Sequence, residues 1–259
     1  MRFWYCLILL LLLSACVREQ KAPLAEVPVV TVAHETVVEQ PEPYFEPVLN
    51  LDSLHREYSL MKRRTLQQRD QFARQFREAN DHNKQGSVLQ QSGKWLRQQL
   101  VNEVFPPWYG TEWDFNGYTA KPRDGQIACG YFVSTPLKQI GFQLNRYKVA
   151  QADATTIARS LSDTLLRFQD FEKMLLYVAQ QPDELYVIGL DNHVGFLYKS
   201  VDTLDFIHST FVDPGCVFRE PAATSPVLSW SRVYVLAPLT QRDWTVKKWL
   251  CRTEFGVKK

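Results

Sequence analysis

The chain is expected to be an α+β protein, because helical patterns fill its first half and strand patterns its second. In the first half Leu51, Leu54, Tyr58, Met61, Leu66, Phe72 and Phe76 recur at mostly helical spacings, with Arg, Lys and Gln on the other faces. From Leu185 onward the segments are short, rich in Val, Ile, Tyr and Phe, and separated by turn residues. Helices followed by successive strands favour an antiparallel sheet over alternating βαβ units.

In chain order, a helix is expected over 51–80, with Asn80-Asp81-His82-Asn83 as a breaker and a second helix over 87–104. Phe105-Pro106-Pro107 ends this helical part. A loop follows at 110–117, then a turn at Pro122-Arg123-Asp124-Gly125. Cys129 opens the next helix, which carries Phe132, Val133, Leu137 and Ile140 on one side; Pro136 should kink it and Gly141 stop it. Two further helices are expected over 153–161 and 163–180. Strands are expected over 185–190, 193–198, 205–211 and 233–237, with Asp191-Asn192 as a turn or bulge between the first two.

The N-terminus has the pattern of a targeting segment. Arg2 precedes an uncharged stretch over 3–13, which is short for a mature membrane span and suits the apolar part of a secretory signal. Leu13-Ser14-Ala15-Cys16 resembles a bacterial lipobox, which implies cleavage after Ala15 and a lipid on Cys16; an ordinary signal peptide with an incidental cysteine is the alternative. Prolines at 23, 28, 41, 43 and 47 keep the next stretch extended. The expected organisation is thus a signal peptide over 1–15, a lipidated tether over 16–50, a helical extension over 51–104 and a main domain over 105–259. The expected location is the bacterial cell envelope, held to a membrane through Cys16, on the outer-membrane or periplasmic side.

Composition narrows the functional classes. With 259 residues and 45% apolar content the chain can bury a core, and a net charge of +2 makes no case for nucleic acid. No phosphate loop, zinc-spaced Cys/His cluster or HExxH is present, so no metal or cofactor is expected. An exported compartment permits a disulfide between Cys216 and Cys251, with free core thiols as the alternative.

Cys129 stands between a Gly/Asp turn and an amphipathic helix, where the helix N-terminus favours a thiolate. His193 and His208 lie fifteen residues apart in two strand patterns, although the chain has only five histidines. A thiol, an imidazole to take its proton and a second polar group to orient that imidazole are what a cysteine nucleophile needs. The blander alternatives are a buried inert thiol, a satisfied strand histidine at 193 and an edge-strand polar residue at 208.

These residues fall into blocks that resemble the NlpC/P60 cysteine peptidases, papain-like hydrolases of cell-wall peptides. Gly110-Thr111-Glu112-Trp113 with Gly117 resembles the family's entry loop. Cys129, followed by Gly141-Phe142-Gln143-Leu144-Asn145-Arg146 and Gln151, resembles the nucleophile helix and its exit. His193-Val194-Gly195 and Phe206-Ile207-His208 resemble the two histidine strands. The likeness spans about residues 110–210. It implies Cys129 as nucleophile, His193 as base and His208 as orienting group. It also implies a nucleophile helix packed on an antiparallel sheet, with peptidoglycan or another envelope peptide as substrate. Trp113 stands where the family has a site tyrosine and is either a site residue or a core aromatic. Arg146 is either a carboxylate-binding fork or a surface ion-pair partner. Where the family has Asp before and Ser after the nucleophile, this chain has Ala128 and Gly130. Two readings from other classes stand beside a hydrolase: a wall-peptide binding module on the same scaffold, and an envelope scaffold acting through 51–104.

Overall fold

The computed structural model describes residues 50–257. The expected signal peptide, Cys16 and the tether up to residue 49 lie outside the described residues. Among the described residues no helix is long and apolar enough to cross a membrane.

Helix α1 (Leu51–Glu78) starts where the Asn50 side chain accepts the Ser53 amide at 3.0 Å. Helix α2 (His82–Gln99) starts where Asp81 accepts the Lys84 amide at 2.8 Å. That cap places His82 in the first turn of α2, so the helix begins earlier than the expected residue 87. A π-helical turn, Leu100–Val104, and a single 3-10 turn, Pro106–Trp108, carry the chain into the loop at 110–117. Helix α3 (Cys129–Gln139) begins at Cys129 and accommodates Pro136.

Strand β1 (Gln143–Leu144), helix α4 (Arg146–Ala150) and helix α5 (Ala154–Leu161) follow. The continuous helix expected over 163–180 is corrected. Its first part is strand β2 (Leu166–Phe168), paired with a late strand, and helix α6 (Phe171–Ala179) starts only where Asp170 accepts the Lys173 amide. Leu166 and Phe168 suit a strand as well as a helix, and a partner distant in sequence decided between them.

The main sheet continues with β3 (Glu184–Gly189), β4 (Val194–Lys199), β5 (Leu204–Ser209), β6 (Val217–Pro221) and, after the short helix α7 (Pro226–Trp230), β7 (Tyr234–Pro238). Its six strands run in the order β2-β7-β3-β4-β5-β6, and every pair is antiparallel. Helix α8 (Asp243–Leu250) and β8 (Glu254–Phe255), which pairs in parallel with β1, close the chain. The architecture is α+β, as the sequence predicts.

Both faces of the sheet are covered. On one, Phe196, Ile207, Val187 and Ala237 join a core with Phe132 of α3 and Ile157 of α5. On the other, Tyr186, Ile188, Leu197 and Phe206 pack with Met174 of α6 and Leu228 of α7. Residues 51–104 share the first core. The Trp108 indole donates to the Tyr58 hydroxyl at 2.9 Å, which donates to Gln139 of α3 at 2.8 Å. Trp95 of α2 stacks on Trp249 of α8 with ring centroids 6.3 Å apart. Cys129, Cys216 and Cys251 are free thiols; Cys216 is a buried core thiol as the alternative has it, whereas Cys251 is exposed.

One buried carboxylate ties β3 to the end of β7. Glu184, 3% exposed, accepts from the amides of Leu185, Thr240 and Gln241 at 2.7, 2.8 and 2.9 Å and from the Thr240 hydroxyl. Burial pushes its carboxyl above the ordinary range, and these four donors oppose the shift. Its folded value is raised, so the stability linked to this group is present at low pH and falls as pH rises through that value. Glu184→Ala strands these donors and is expected to cost about 2–4 kcal/mol in urea unfolding. A midpoint equal to that of the parent protein would show that water replaces the carboxylate freely.

Candidate active site

Three fixed elements bring the cysteine and the two histidines together. The chain before Cys129 is pinned from both sides: the Ile127 amide donates to Glu112 at 2.9 Å, the Ala128 amide to Gly117 at 2.8 Å, and the Ser209 hydroxyl of β5 donates to the Ile127 carbonyl at 2.7 Å. Helix α3 then packs across β4 and β5 through Phe132 and Phe196, whose ring centroids lie 5.9 Å apart. His193 sits at the turn between β3 and β4, closed by the Leu190 amide donating to the His193 carbonyl at 2.8 Å. His208 lies in β5, which β4 and β6 flank, so it is a central-strand residue with no exposed surface. The edge-strand alternative for His208 does not hold.

Cys129 occupies the first helical position of α3. Ala128, the residue before it, is extended and has no side-chain cap. The first-turn amides are therefore not taken up by a capping side chain. The backbone amides of Val194, Gly130 and Cys129 itself turn toward the sulfur. They favour a thiolate, yet burial outweighs them and pushes the thiol above its ordinary range. The helix start thus favours the thiolate as the sequence predicts, but burial sets the net direction. His193 and His208 are also buried and held neutral. Burial and the neighbouring His208 push His193 well down, and burial takes His208 to about 3. The resting site thus holds an uncharged thiol and two uncharged imidazoles.

The two rings are joined directly: His193 Nε2 lies 2.9 Å from His208 Nδ1. That leaves Nδ1 as the nitrogen of His193 not held by His208. Phe206 stacks on His208 with centroids 3.9 Å apart, and Phe211 meets His193 edge-on at 5.7 Å. Gly195, directly before Phe196 in β4, makes room for this arrangement, since a Cβ there would lie 2.8 Å from the His208 Cβ and 2.7 Å from the Phe206 ring. Beyond His208 the structure adds a residue that the sequence reading missed. Glu220 Oε1 of β6 lies 3.1 Å from His208 Nε2. No local pattern marks it, because Val217-Phe218-Arg219-Glu220-Pro221 resembles a polar loop until its pairing with β5 is known.

Cys129 and His193 line one cleft of about 710 Å³. Trp113, Phe115, Tyr118, Tyr131, Tyr147 and Phe211 form its aromatic walls, and Asn116, Gln151 and Asn192 supply amides. No Asp, Glu, Lys or Arg is among its lining residues. Trp113 is therefore a cleft residue, its ring 6.1 Å from Phe211. Arg146 is not among the residues that line this cleft. It lines a neighbouring pocket, its guanidinium lies over Tyr131 and Tyr147 at 5.3 and 4.9 Å, and it donates to the Tyr118 carbonyl. It thus holds two tyrosine rings of the cleft wall and the backbone of a third. Gly130 is required by close approach, since a Cβ there would meet the Ala150 carbonyl oxygen at 2.3 Å. A serine after the nucleophile has no room in this chain. Among the described residues no group of three or more His, Cys, Asp and Glu side chains is arranged to hold a metal ion.

The balance at the thiol has a direct readout. Peptide-resolved alkylation across pH is expected to show Cys129 reacting more slowly than exposed Cys251 near neutrality, with a midpoint above the roughly 8.5 of an ordinary thiol. A midpoint below that value would mean that the amides outweigh burial and the thiolate is preformed.

Comparison with protein-family models, with curated proteins and with solved structures finds no match to this chain.

Proposed function

We propose that the protein is a lipid-anchored cysteine hydrolase of the bacterial cell envelope, built on a papain-like NlpC/P60-type scaffold, that cleaves an amide bond in peptidoglycan peptides. The observation that carries this reading is that Cys129 at the first turn of α3 and His193 line one cleft, with one ring nitrogen of His193 held by His208. His193 takes the thiol proton as the sulfur attacks the substrate carbonyl, because the resting pair is neutral. A C–S bond forms, and the oxyanion is held by the uncapped amides at the start of α3. The imidazolium then gives its proton to the departing amine as the C–N bond breaks. Water next attacks the thioester, passing a proton to His193, and the free acid and the thiol are released.

The cleft lining points to the flanking groups of the substrate. Ala128 and Gly130 offer neither charge nor hydroxyl, and no acidic side chain lines the cleft to receive an ammonium group. A free amine brought there loses its hydration without gaining a charge-assisted hydrogen bond, worth about 1.5–3 kcal/mol. The substrate is therefore a peptide whose nearby end is acylated, still joined to glycan, or apolar. The raised thiol favours a second reading, in which the same aromatic cleft holds a wall peptide without cutting it.

Digestion of purified wall material, with fragments identified by mass, separates the two. Cys129→Ser and His193→Ala are each expected to abolish release while leaving the fold intact, and His208→Ala to reduce it by about 10²–10⁴-fold. The parent protein should turn over an N-acylated wall peptide about ten- to a hundredfold better than its free-amine form. Binding of both without release would establish the binding module. The anchor is tested separately: intact mass of the protein extracted from membranes should show a chain starting at Cys16 with a lipid adduct, and Cys16→Ser should remain unprocessed or soluble. An uncleaved chain with a bare Cys16 thiol overturns the anchor alone.

A further inference from the structure

Glu220 ends the chain of polar contacts that begins at His193, and the proposed chemistry leaves it without a role. Register places it diagonally across from His208: His208 pairs with Phe218, and Glu220 is two residues further along β6 on the same face. Its Oε1 faces His208 Nε2 at 3.1 Å and also accepts from the Ser225 hydroxyl. Ser225 is 1% exposed and caps α7, which fixes it in place. The Glu220 side chain is itself 12% exposed, and the wholly buried His208 ring separates it from His193. His208 from β5 and Ser225 from the start of α7 are the groups set against the carboxylate.

Hydrogen-bond polarity follows from the valence of each group. A neutral imidazole carries one N–H and one lone pair, and an ionised carboxylate only accepts. An ionised Glu220 therefore requires the proton of His208 on Nε2, which leaves its Nδ1 as an acceptor. His193 must then donate from Nε2, and its Nδ1 is left with the lone pair that a base needs. A protonated Glu220 permits the reverse order: its O–H donates to His208 Nε2, His208 Nδ1–H donates to His193 Nε2, and a proton occupies His193 Nδ1. We propose that Glu220 is the positioning residue that sets the polarity of this two-histidine relay, holding both imidazoles in the Nε2–H form so that His193 Nδ1 keeps the lone pair a base needs. The catalytic consequence rests on the Cys129–His193 reading; the tautomer order does not.

Burial pushes the Glu220 carboxyl above the ordinary carboxylate range, and the Ser225 hydroxyl pulls it back. A raised acid has its charge above its own titration point and loses it as pH falls through that point. The base form of His193 is then lost on the acid side at a higher pH than an unperturbed glutamate would give. Removing the Ser225 hydroxyl should move that limb to still higher pH.

Long-range ¹⁵N imidazole spectra of the detergent-solubilised full chain read the tautomers directly, and turnover of a wall fragment across pH reads their effect. The expected result at neutral pH is Nε2–H at both His193 and His208. Glu220→Gln should abolish the single tautomer at His193 and lower kcat by at least about 10-fold with little change in KM, since Glu220 does not reach the cleft. Ser225→Ala should shift the acid limb upward. A proton on His193 Nδ1 in the parent protein at neutral pH overturns the proposal, and so does a folded Glu220→Gln with parental tautomers and pH profile. Where Glu220→Gln does not fold, the parent spectra and the direction of the Ser225→Ala shift decide. Tautomers as expected in a protein that releases no wall fragment would leave the relay standing and remove the hydrolase reading instead.

Discussion

The docking of α3 against the six-stranded sheet is the contact on which the site depends. Phe132 of α3 meets Phe196 of β4 and Phe105 from the end of the helical segment, with centroids 5.9 and 5.8 Å apart, and Phe105 meets Phe196 at 4.6 Å. Three mutually touching rings bury large apolar areas, and each pair adds about 0.5–1.5 kcal/mol beyond its area. The cluster joins three stretches far apart in sequence: the end of the N-terminal helices, the cysteine helix and the strand that follows His193. It sets the height of the cysteine above the sheet, and the bond from Ser209 to the Ile127 carbonyl sets its position along β5.

The same packing explains why residues 51–104 are not a detachable appendage. Tyr58 and Trp108 form a buried hydrogen-bonded pair that ends on Gln139, the last residue of α3. Arg69 of α1, 3% exposed, donates to the Gly141 carbonyl just beyond that helix. The N-terminal helices thus brace α3 at its far end while the entry loop holds its N-terminus. An envelope-scaffold role for 51–104 has to coexist with this bracing.

Burial dominates the electrostatics of the site. The helix N-terminus and three amides favour a negative sulfur, but desolvation outweighs them. Both histidines are uncharged for the same reason. The lining of the cleft adds no charged side chain to this neutral set. Glu220 lies on the sheet face that carries Phe206 and packs against α7, and its hydrogen-bonded path toward the cleft runs through His208.

Periodicity and capping residues determined much of the fold. The α+β class, the start of α3 at Cys129, the turn at Asp191-Asn192 and four of the main strands were legible because each is set by local spacing or by a turn residue. The placement of Cys129 and His193 on one cleft was expected from the pattern of motifs. Tertiary structure decided whatever needed a distant partner. Leu166–Phe168 became a strand because β7 lies beside it, and Val217–Pro221 because β5 does. Arg146 lies over the faces of Tyr131 and Tyr147 and is not among the residues lining the cleft. Gly130 admits no side chain because the Ala150 carbonyl, twenty residues later, lies against it. Glu220 joined His208 through strand register, which no local pattern encodes: a shift of one residue along β6 would turn its carboxylate to the opposite face of the sheet.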